Sequence, residues 1–424
     1  MRPAVTRAGR LAIYDRAFMT AVSRERPDRV RAALRRHGLL RRPRALRFFL
    51  QRHGVRYTDG NRLSVFATGD EGLAAMLHAI ERARRRIHLE TYILRGDATG
   101  RRFIDALVAK ARAGVTVRLL YDAVGSLSLN PALLTPLHLA GGQTLAFNPL
   151  RRFYPRWLPR RRDHRKILVV DGTVGFTGGL NIGDEYNVGR GGTGTPWRDT
   201  HVQLEGPAVQ DLEAVFLESW FRADGPDMPW AQVLGSVPAP RGDERVAVVA
   251  DGPSYRRRVM RDLISFALHT GREHVRLASP YLAPDGKIMG ALCHAARRGT
   301  CVSLLLAGHT DHPILRRATR ALLPQLLASG VAVYEHHRAM LHAKTTVIDQ
   351  RWAVVGTSNL DRQSFEHSYE VNLAVERGTL PAVLIELFEA DVAEAMRIDA
   401  NLLARRGVLE RVVDRLCAVV LWVV

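Results

Sequence analysis

Apolar positions along this chain of 424 residues follow two alternating rhythms. Around 71–85, and again around 256–271, they recur every three or four residues, the spacing of a helix with one buried face. After each such stretch comes a short, mostly apolar run, Ile87–Tyr92 in one case and Val275–Tyr281 in the other, which reads as a strand. Farther on, Ala111-Arg-Ala-Gly-Val-Thr-Val-Arg-Leu-Leu120 matches Ala296-Arg-Arg-Gly-Thr-Cys-Val-Ser-Leu-Leu305. Both segments read as a helix end, a glycine stop and a buried strand. Helices alternating with apolar strands predict an α/β chain, and the internal match predicts two similar halves. The Pro/Gly-rich stretch Asp224–Asp243 is the expected junction. The division expected is a basic extension over 1–57, halves over 58–235 and 236–400, and a tail over 401–424.

The two ends differ in character. From Arg29 to His53 there are nine arginines and no acid, with Leu34, Leu39, Leu40, Leu46, Phe48 and Phe49 interspersed. A packing helix and a membrane-surface element are both compatible with that pattern. In the tail, Leu409, Val412, Val413 and Leu416 follow helical spacing, with Glu410, Arg411, Asp414 and Arg415 opposite. The run Leu416–Val424 is apolar throughout, yet its nine residues fall short of the ~20 that a spanning helix needs. It is expected either to dock on the protein's own body or to lie in a lipid interface. The N-terminal residues lack the apolar core of a signal peptide. The uncharged stretch Ala123–Leu150 reads as loop and short helix, because Asn130, Pro131, Pro136 and Asn148 interrupt it. The chain is therefore expected to be soluble or to lie on a membrane.

Charge narrows the partner. Lys+Arg exceed Asp+Glu by 62 − 42 = +20, which favours nucleic acid or an acidic lipid surface. Three cysteines without CxxC spacing argue against a disulfide scaffold or a cysteine-built zinc site. Only four of the 62 basic residues are lysine: Lys110, Lys166, Lys287 and Lys344. Each lysine therefore attracts attention.

Two of the four fall in a repeated polar pattern. In the first half it runs His164-Arg-Lys166-Ile-Leu-Val-Val-Asp171, then Gly178-Gly179-Leu-Asn181. In the second it runs His342-Ala-Lys344-Thr-Thr-Val-Ile-Asp349, then Gly356-Thr357-Ser-Asn359. Counted from His, the offsets to Lys, Asp and Asn are +2, +7 and +17 in both copies. With 16 His and 4 Lys in 424 positions, chance supplies about 0.15 His-x-Lys pairs, so a duplicated set is not accidental. Residues two apart share one face of a strand, so His164 with Lys166, and His342 with Lys344, are expected to point together. Asp171 and Asp349 are expected at a hairpin turn, since Asp171-Gly172 is a turn signal.

Two His–Lys–Asn sets suit a phosphodiester. One imidazole attacks phosphorus and the other protonates the leaving oxygen. Lys166, Lys344, Asn181 and Asn359 can hold the non-bridging oxygens as charge develops. A covalent phosphohistidine then passes its group to an acceptor hydroxyl. Each copy supplies half of such a site, so the halves must face each other. The chemistry asks for no metal and no cofactor.

The doubled His-x-Lys-x4-Asp-x6-Gly-(Gly/Thr)-x-Asn pattern resembles the phospholipase D superfamily over about 58–395. Further stretches are similar to bacterial cardiolipin synthases: His88-Leu-Glu-Thr-Tyr92, Gly178-Gly-Leu-Asn-Ile-Gly-Asp-Glu-Tyr186, Trp197-Arg-Asp-Thr-His201, Met340-Leu-His-Ala-Lys344 and Tyr369-Glu-Val-Asn372. The absence of two N-terminal transmembrane helices resembles the shorter, peripheral subgroup. The resemblance implies a phospholipase D fold of two pseudo-repeated α/β halves sharing one active site at their interface. It implies His164, Lys166, Asp171, His342, Lys344 and Asp349 as the catalytic set. It further implies Asn181 and Asn359 as phosphate ligands, and Asp199 and Glu370 as the carboxylates that orient the imidazoles. Gly179, where many relatives carry a hydroxyl, cannot donate a side-chain hydrogen bond.

The activity this implies is transfer of a phosphatidyl group between phosphatidylglycerol molecules. A hydrolytic phospholipase D and a nuclease are the competing readings. The expected partners are anionic phospholipid (phosphatidylglycerol, cardiolipin) and a membrane surface, with no nucleic acid, on the cytoplasmic face of the cell membrane. The run Arg151–Arg162 interleaves cations with Phe153, Tyr154 and Trp157, which suits a headgroup region or, equally, a nucleic acid.

Overall fold

The computed structural model describes residues 53–149, 161–187, 195–226, 228, 233–255, 258–376 and 378–423, with side chains in the last helix to 419. The basic segment up to 52 and the arginine–aromatic run over 150–160 lie outside the described residues.

The first half runs β1 (Thr58–Phe66), α1 (Gly69–Arg82), β2 (Arg86–Thr91), α2 (Ala98–Arg112), β3 (Thr116–Asp122), β4 (Gln143–Phe147), β5 (Arg162–Asp163), β6 (Ile167–Val170), β7 (Val174–Gly178), β8 (His201–Glu205) and α3 (Ala208–Arg222). The second runs β9 (Glu244–Asp251), α4 (Val259–Thr270), β10 (His274–Ser279), β11 (Leu282–Ala283), α5 (Gly286–Arg297), β12 (Cys301–Ala307), α6 (Pro313–Ala328), β13 (Ala332–His336), β14 (Thr345–Ile348), β15 (Trp352–Gly356), β16 (Leu360–Asp361), β17 (Ser368–Glu376), α7 (Leu380–Ala393), β18 (Ala395–Ile398) and α8 (Val408–Val423).

One sheet carries both halves, in the order β18-β13-β12-β10-β14-β15-β17-β9-β1-β8-β7-β6-β2-β3-β4. Read outward from the central antiparallel β9–β1 pair, the two sides match strand for strand as far as β13 and β4, and β18 extends the second half's edge by one further strand. On each side a parallel pair (β2–β3, β10–β12) is followed toward the centre by an antiparallel hairpin (β6–β7, β14–β15). The duplicated sequence thus folds as a pseudo-twofold repeat across one continuous sheet.

Short apolar runs work as strands here because both faces of the sheet are covered. In β6, Leu168 and Val170 pack under α1 and α2 with Leu77, Ile80 and Phe103, while Ile167 and Val169 pack on α3 with Leu212 and Phe216. The α3-side cluster also takes Val246, Val347, Leu373 and Leu384 from the second half, so one apolar layer runs beneath the junction. The helices expected near 71–85 and 256–271 are α1 and α4. Within Ala123–Leu150, the loop and short helix (Thr135–Leu139) are joined by strand β4, which that reading omitted. Polar interruptions hid its apolar pattern.

Candidate active site

The His-x-Lys segments lie just before β6 and β14 rather than within them. They are extended because each docks on the opposite half. His164 N donates to Tyr369 O at 2.9 Å, next to parallel pairing of β5 with the start of β17. Correspondingly, His342 N donates to Arg198 O at 2.7 Å and Arg198 N to Met340 O at 2.9 Å. Arg165, between His164 and Lys166, points into the body and is fully buried. It donates to Ser219 Oγ at 2.8 Å in the first half and to Glu370 O at 3.3 Å in the second.

This docking crosses the carboxylates over. His164 Nδ1 lies 3.0 and 3.1 Å from the two Glu370 oxygens, and Glu370 belongs to the second half. His342 Nδ1 lies 2.7 Å from Asp199 Oδ2, and Asp199 belongs to the first. Each half therefore holds the other's imidazole. With Nδ1 committed to a carboxylate, Nε2 is the atom each ring has for chemistry. The imidazoles are further framed by aromatic edges: Tyr92 beside His164, Tyr186 and Trp197 beside His342.

The two carboxylates are themselves held differently. Glu370 Oε2 accepts from the Thr357 hydroxyl, which in turn accepts from Val371 N at 3.0 Å. At the matching position Gly179 has no side chain, and a Cβ there would overlap Asp199 Oδ1. Glycine leaves room for the carboxylate, whose Oδ1 instead accepts from Thr200 N at 2.7 Å.

Lys166 Nζ donates to His164 O at 2.9 Å and Lys344 Nζ to His342 O, which leaves N–H groups on both ammoniums for a ligand. Burial pulls Lys166 down to about 7 and Lys344 to about 8, against the opposing fields of Glu370 and Asp199. Burial likewise depresses His164 and brings His342 down to about 4, aided there by the Lys344 charge. Burial alone would raise Asp199, but His342, Lys344 and its hydrogen bonds hold it below the usual carboxylate range. The site thus favours neutral imidazoles beside two lysines near their titration points. An arriving phosphodiester anion would draw protons onto these groups.

A sequence model described as "Cardiolipin synthase, PLD-like domain" matches residues 76–220 and 264–392. The chain is 37% identical over 351 residues to a cardiolipin synthase of Alkalihalophilus pseudofirmus, covering 82% of this chain and 70% of that one. It is also 37% identical over 348 residues to cardiolipin synthase 2 of Bacillus cereus, covering 82% and 67%. The chain belongs to the cardiolipin synthase family. Among solved structures, the phosphatidylserine synthase of Haemophilus influenzae superposes with a TM-score of 0.68 at 12% identity, covering 88% of this chain and 97% of that one. Polyphosphate kinase of Porphyromonas gingivalis gives 0.54 at 14% identity, covering 86% and 53%. At these identities the two likenesses show a shared fold and nothing of a shared substrate; the phospholipase D-like character of that fold comes from the family match.

Against this family's expected site set, the structure divides the residues. His164, Lys166, His342, Lys344, Asp199 and Glu370 converge. Asp171 and Asp349, expected as catalytic, sit instead in the hairpin turns at the far ends of β6 and β14, roughly 20 Å along the chain from their histidines. Asp171 accepts from the backbone N–H of Arg84, Arg85 and Arg86, and Asp349 from those of Arg272, Glu273 and His274. They tie the turn to the start of the neighbouring strand, in the left-handed region at φ 55° and 49°. Asn181 is buried and doubly engaged: its Oδ1 accepts from Ile93 N at 3.2 Å and its Nδ2 donates to Tyr186 Oη at 3.0 Å. Asn359 Oδ1 is buried without a hydrogen-bond partner among the described residues.

Tyr92, Tyr186, Trp197 and His201 were not singled out from the sequence for a role. His201 is fully buried, feels the charges of Asp199 and Lys166, and is brought by burial to about 4. All four lie in or beside the stretches that carry the family resemblance, which was the available signal. Among the described residues no helix is long and apolar enough to cross a membrane, and no three metal-ligating side chains cluster.

Proposed function

We propose that this chain is a phosphatidyltransferase that joins two phosphatidylglycerol molecules into cardiolipin and glycerol. The crossed His–carboxylate pairs carry this reading, because they set two Nε2 atoms in one site with their Nδ1 protons held from behind. In the first step one Nε2 forms a bond to phosphorus as the phosphorus–oxygen bond to the glycerol headgroup breaks. The second imidazole, protonated as the substrate anion raises its affinity for a proton, delivers that proton to the departing oxygen. In the second step the now neutral second imidazole takes the proton from a hydroxyl of another phosphatidylglycerol, whose oxygen displaces the first imidazole from phosphorus. Atoms balance: two phosphatidylglycerols give one cardiolipin and one glycerol.

Lys166 and Lys344 hold the non-bridging oxygens, and Asn359 offers a further polar contact. Asn181 acts in this scheme chiefly by fixing Tyr186 against His342. Anionic phospholipid at the cytoplasmic surface of the cell membrane is the substrate source, and nucleic acid is not a substrate. His164 serves as nucleophile by resemblance to the family. The test is to incubate the pure full-length protein with labelled phosphatidylglycerol dispersed in detergent and resolve the products. Cardiolipin with equimolar glycerol supports the proposal; phosphatidic acid as main product makes the enzyme a hydrolase and overturns it. An acid-quenched phosphohistidine at His342 would reverse the two imidazole roles.

A further inference from the structure

The terminal helix α8 lies on the body with the opposite face from the one its pattern suggests. Asp414, its one buried charge at 2% exposure, turns inward to Arg317 of α6 at 3.5 Å and to Arg406. Val408, Leu409, Val412, Leu416 and Val419 point outward, at 45–77% exposed. At 100° per residue these five fall within one arc of about 100°, and the exposed Arg411 and Arg415 flank it on one side. Next to the foot of the helix, a cavity of about 690 Å³ lies between Leu327, Val331, Ile398 and Leu403, with Arg397 and Arg411 also lining it.

The placement of this stripe relative to the catalytic cleft follows from two contacts. Asp414 meets Arg317 near the start of α6, whereas Arg411 shares the cavity with Leu327 near its end. The two helices are therefore antiparallel, and the apolar stripe of α8 runs toward Pro313. Ile314, in the first turn of α6, is itself 56% exposed. Two residues before Pro313, Asp311 accepts from the Tyr281 hydroxyl and is close enough to Lys344 for its charge to act there. The far end of the stripe is therefore directed toward the loop before α6, which reaches the active site through Tyr281, packed with the Leu341 and Ala343 that flank His342.

We infer that the outward face of α8, continued by Ile314, is the surface by which the enzyme docks on an anionic phospholipid bilayer, with its catalytic cleft beside the lipid. This rests on the phosphatidyltransferase reading for its purpose, though not for its geometry. An apolar arc flanked by arginines fits an interface in which the aliphatic side chains enter the acyl boundary and the guanidinium groups reach lipid phosphates. The buried Asp414 sets the rotation: its ion pairs hold the polar side of the helix against α6 and so present the apolar side outward.

The test uses the full chain and the combined variant Leu409→Ser, Val412→Ser, Leu416→Ser, which alters only exposed side chains. Sedimentation is measured with vesicles of phosphatidylglycerol and phosphatidylcholine mixed, and with phosphatidylcholine alone. The wild type should bind the mixed vesicles at least tenfold more strongly than the neutral ones, and the variant should lose at least tenfold of the former. Turnover of detergent-dispersed phosphatidylglycerol by the variant should stay within about twofold of wild type. Wild-type-like vesicle binding by the variant, or equal wild-type binding to neutral vesicles, overturns the inference. A change of oligomeric state in the variant with vesicle binding intact also overturns it, assigning the stripe to a second copy. His342→Ala should bind vesicles normally while inactive. Binding through α8 by a protein that makes no cardiolipin in detergent would leave the docking surface standing and remove only the proposed activity.

Discussion

Substituting Asp199→Asn should cost far more than substituting Glu370→Gln, although the two carboxylates hold equivalent imidazoles. The reason lies in what fixes each acid. Asp199 Oδ1 accepts from the rigid Thr200 N at 2.7 Å, so the Asn carbonyl stays there and its NH2 takes the position of Oδ2. That NH2 faces His342 Nδ1, which must then become an acceptor and move the ring proton to Nε2. Tyr186 Oη, 3.3 Å from the same Nδ1, already accepts from Asn181 and has its own proton to give, which reinforces the shift. A wrong-tautomer imidazole in a catalytic triad lowers turnover by about 10⁴-fold. Glu370 meets His164 with both oxygens and otherwise accepts from the Thr357 hydroxyl, whose proton can turn to Val371 O at 3.2 Å. The amide that Glu370→Gln introduces can thus keep its carbonyl toward His164 and lose only the charge assistance. That is worth ~1.5–3 kcal/mol, or about 10- to 150-fold. The assay is the initial rate of cardiolipin formation from detergent-dispersed phosphatidylglycerol, with long-range ¹⁵N NMR of the imidazoles reporting the tautomer. An Asp199→Asn enzyme within about tenfold of wild type, or equal losses in the two variants, would refute the reasoning.

Gly179→Ala should push the Asp199 carboxylate off His342 and lower turnover by about 10²-fold, the scale of one lost charge-assisted hydrogen bond; unchanged rates would show that the carboxylate finds another seat. Burial holds His342 and His201 at about 4 when folded while the unfolded chain binds those protons first, so these two groups withdraw stability as pH drops from about 6.5 to 4, against the opposite contribution of the buried Asp163, Asp251 and Asp361, which burial raises. Relative to wild type, the urea midpoint of His201→Leu should therefore rise on going from pH ~6.5 to ~4, and an unchanged difference would discount His201. Asp171→Ala and Asp349→Ala should each destabilise the fold by ~2–4 kcal/mol through lost backbone acceptors, yet leave turnover per folded molecule within about threefold; abolished turnover in stably folded protein would restore them to the chemistry. Chelators should leave turnover intact, since Lys166 and Lys344 already place positive charge at the phosphate; complete loss restored by a metal would contradict that.

The sequence by itself determined the α/β alternation, the duplication and the two His-x-Lys sets, because each is written in spacing. Helical rhythm, apolar strand runs and the repeated offsets survive without any knowledge of neighbours. It also placed Asp171 at a turn, since Asp-Gly is a local signal. What it could not determine is which half serves which. His164 with Glu370 is a contact across 206 residues and His342 with Asp199 one across 143, and only the sheet closing around β1 and β9 decides them. The need for glycine at 179 was invisible for the same reason, since the carboxylate that would collide with a side chain comes from a distant loop. In α8 the tertiary structure reversed the local pattern. Helical periodicity marks an apolar stripe but not the direction it faces, and here two arginines paired with Asp414 turned that stripe outward.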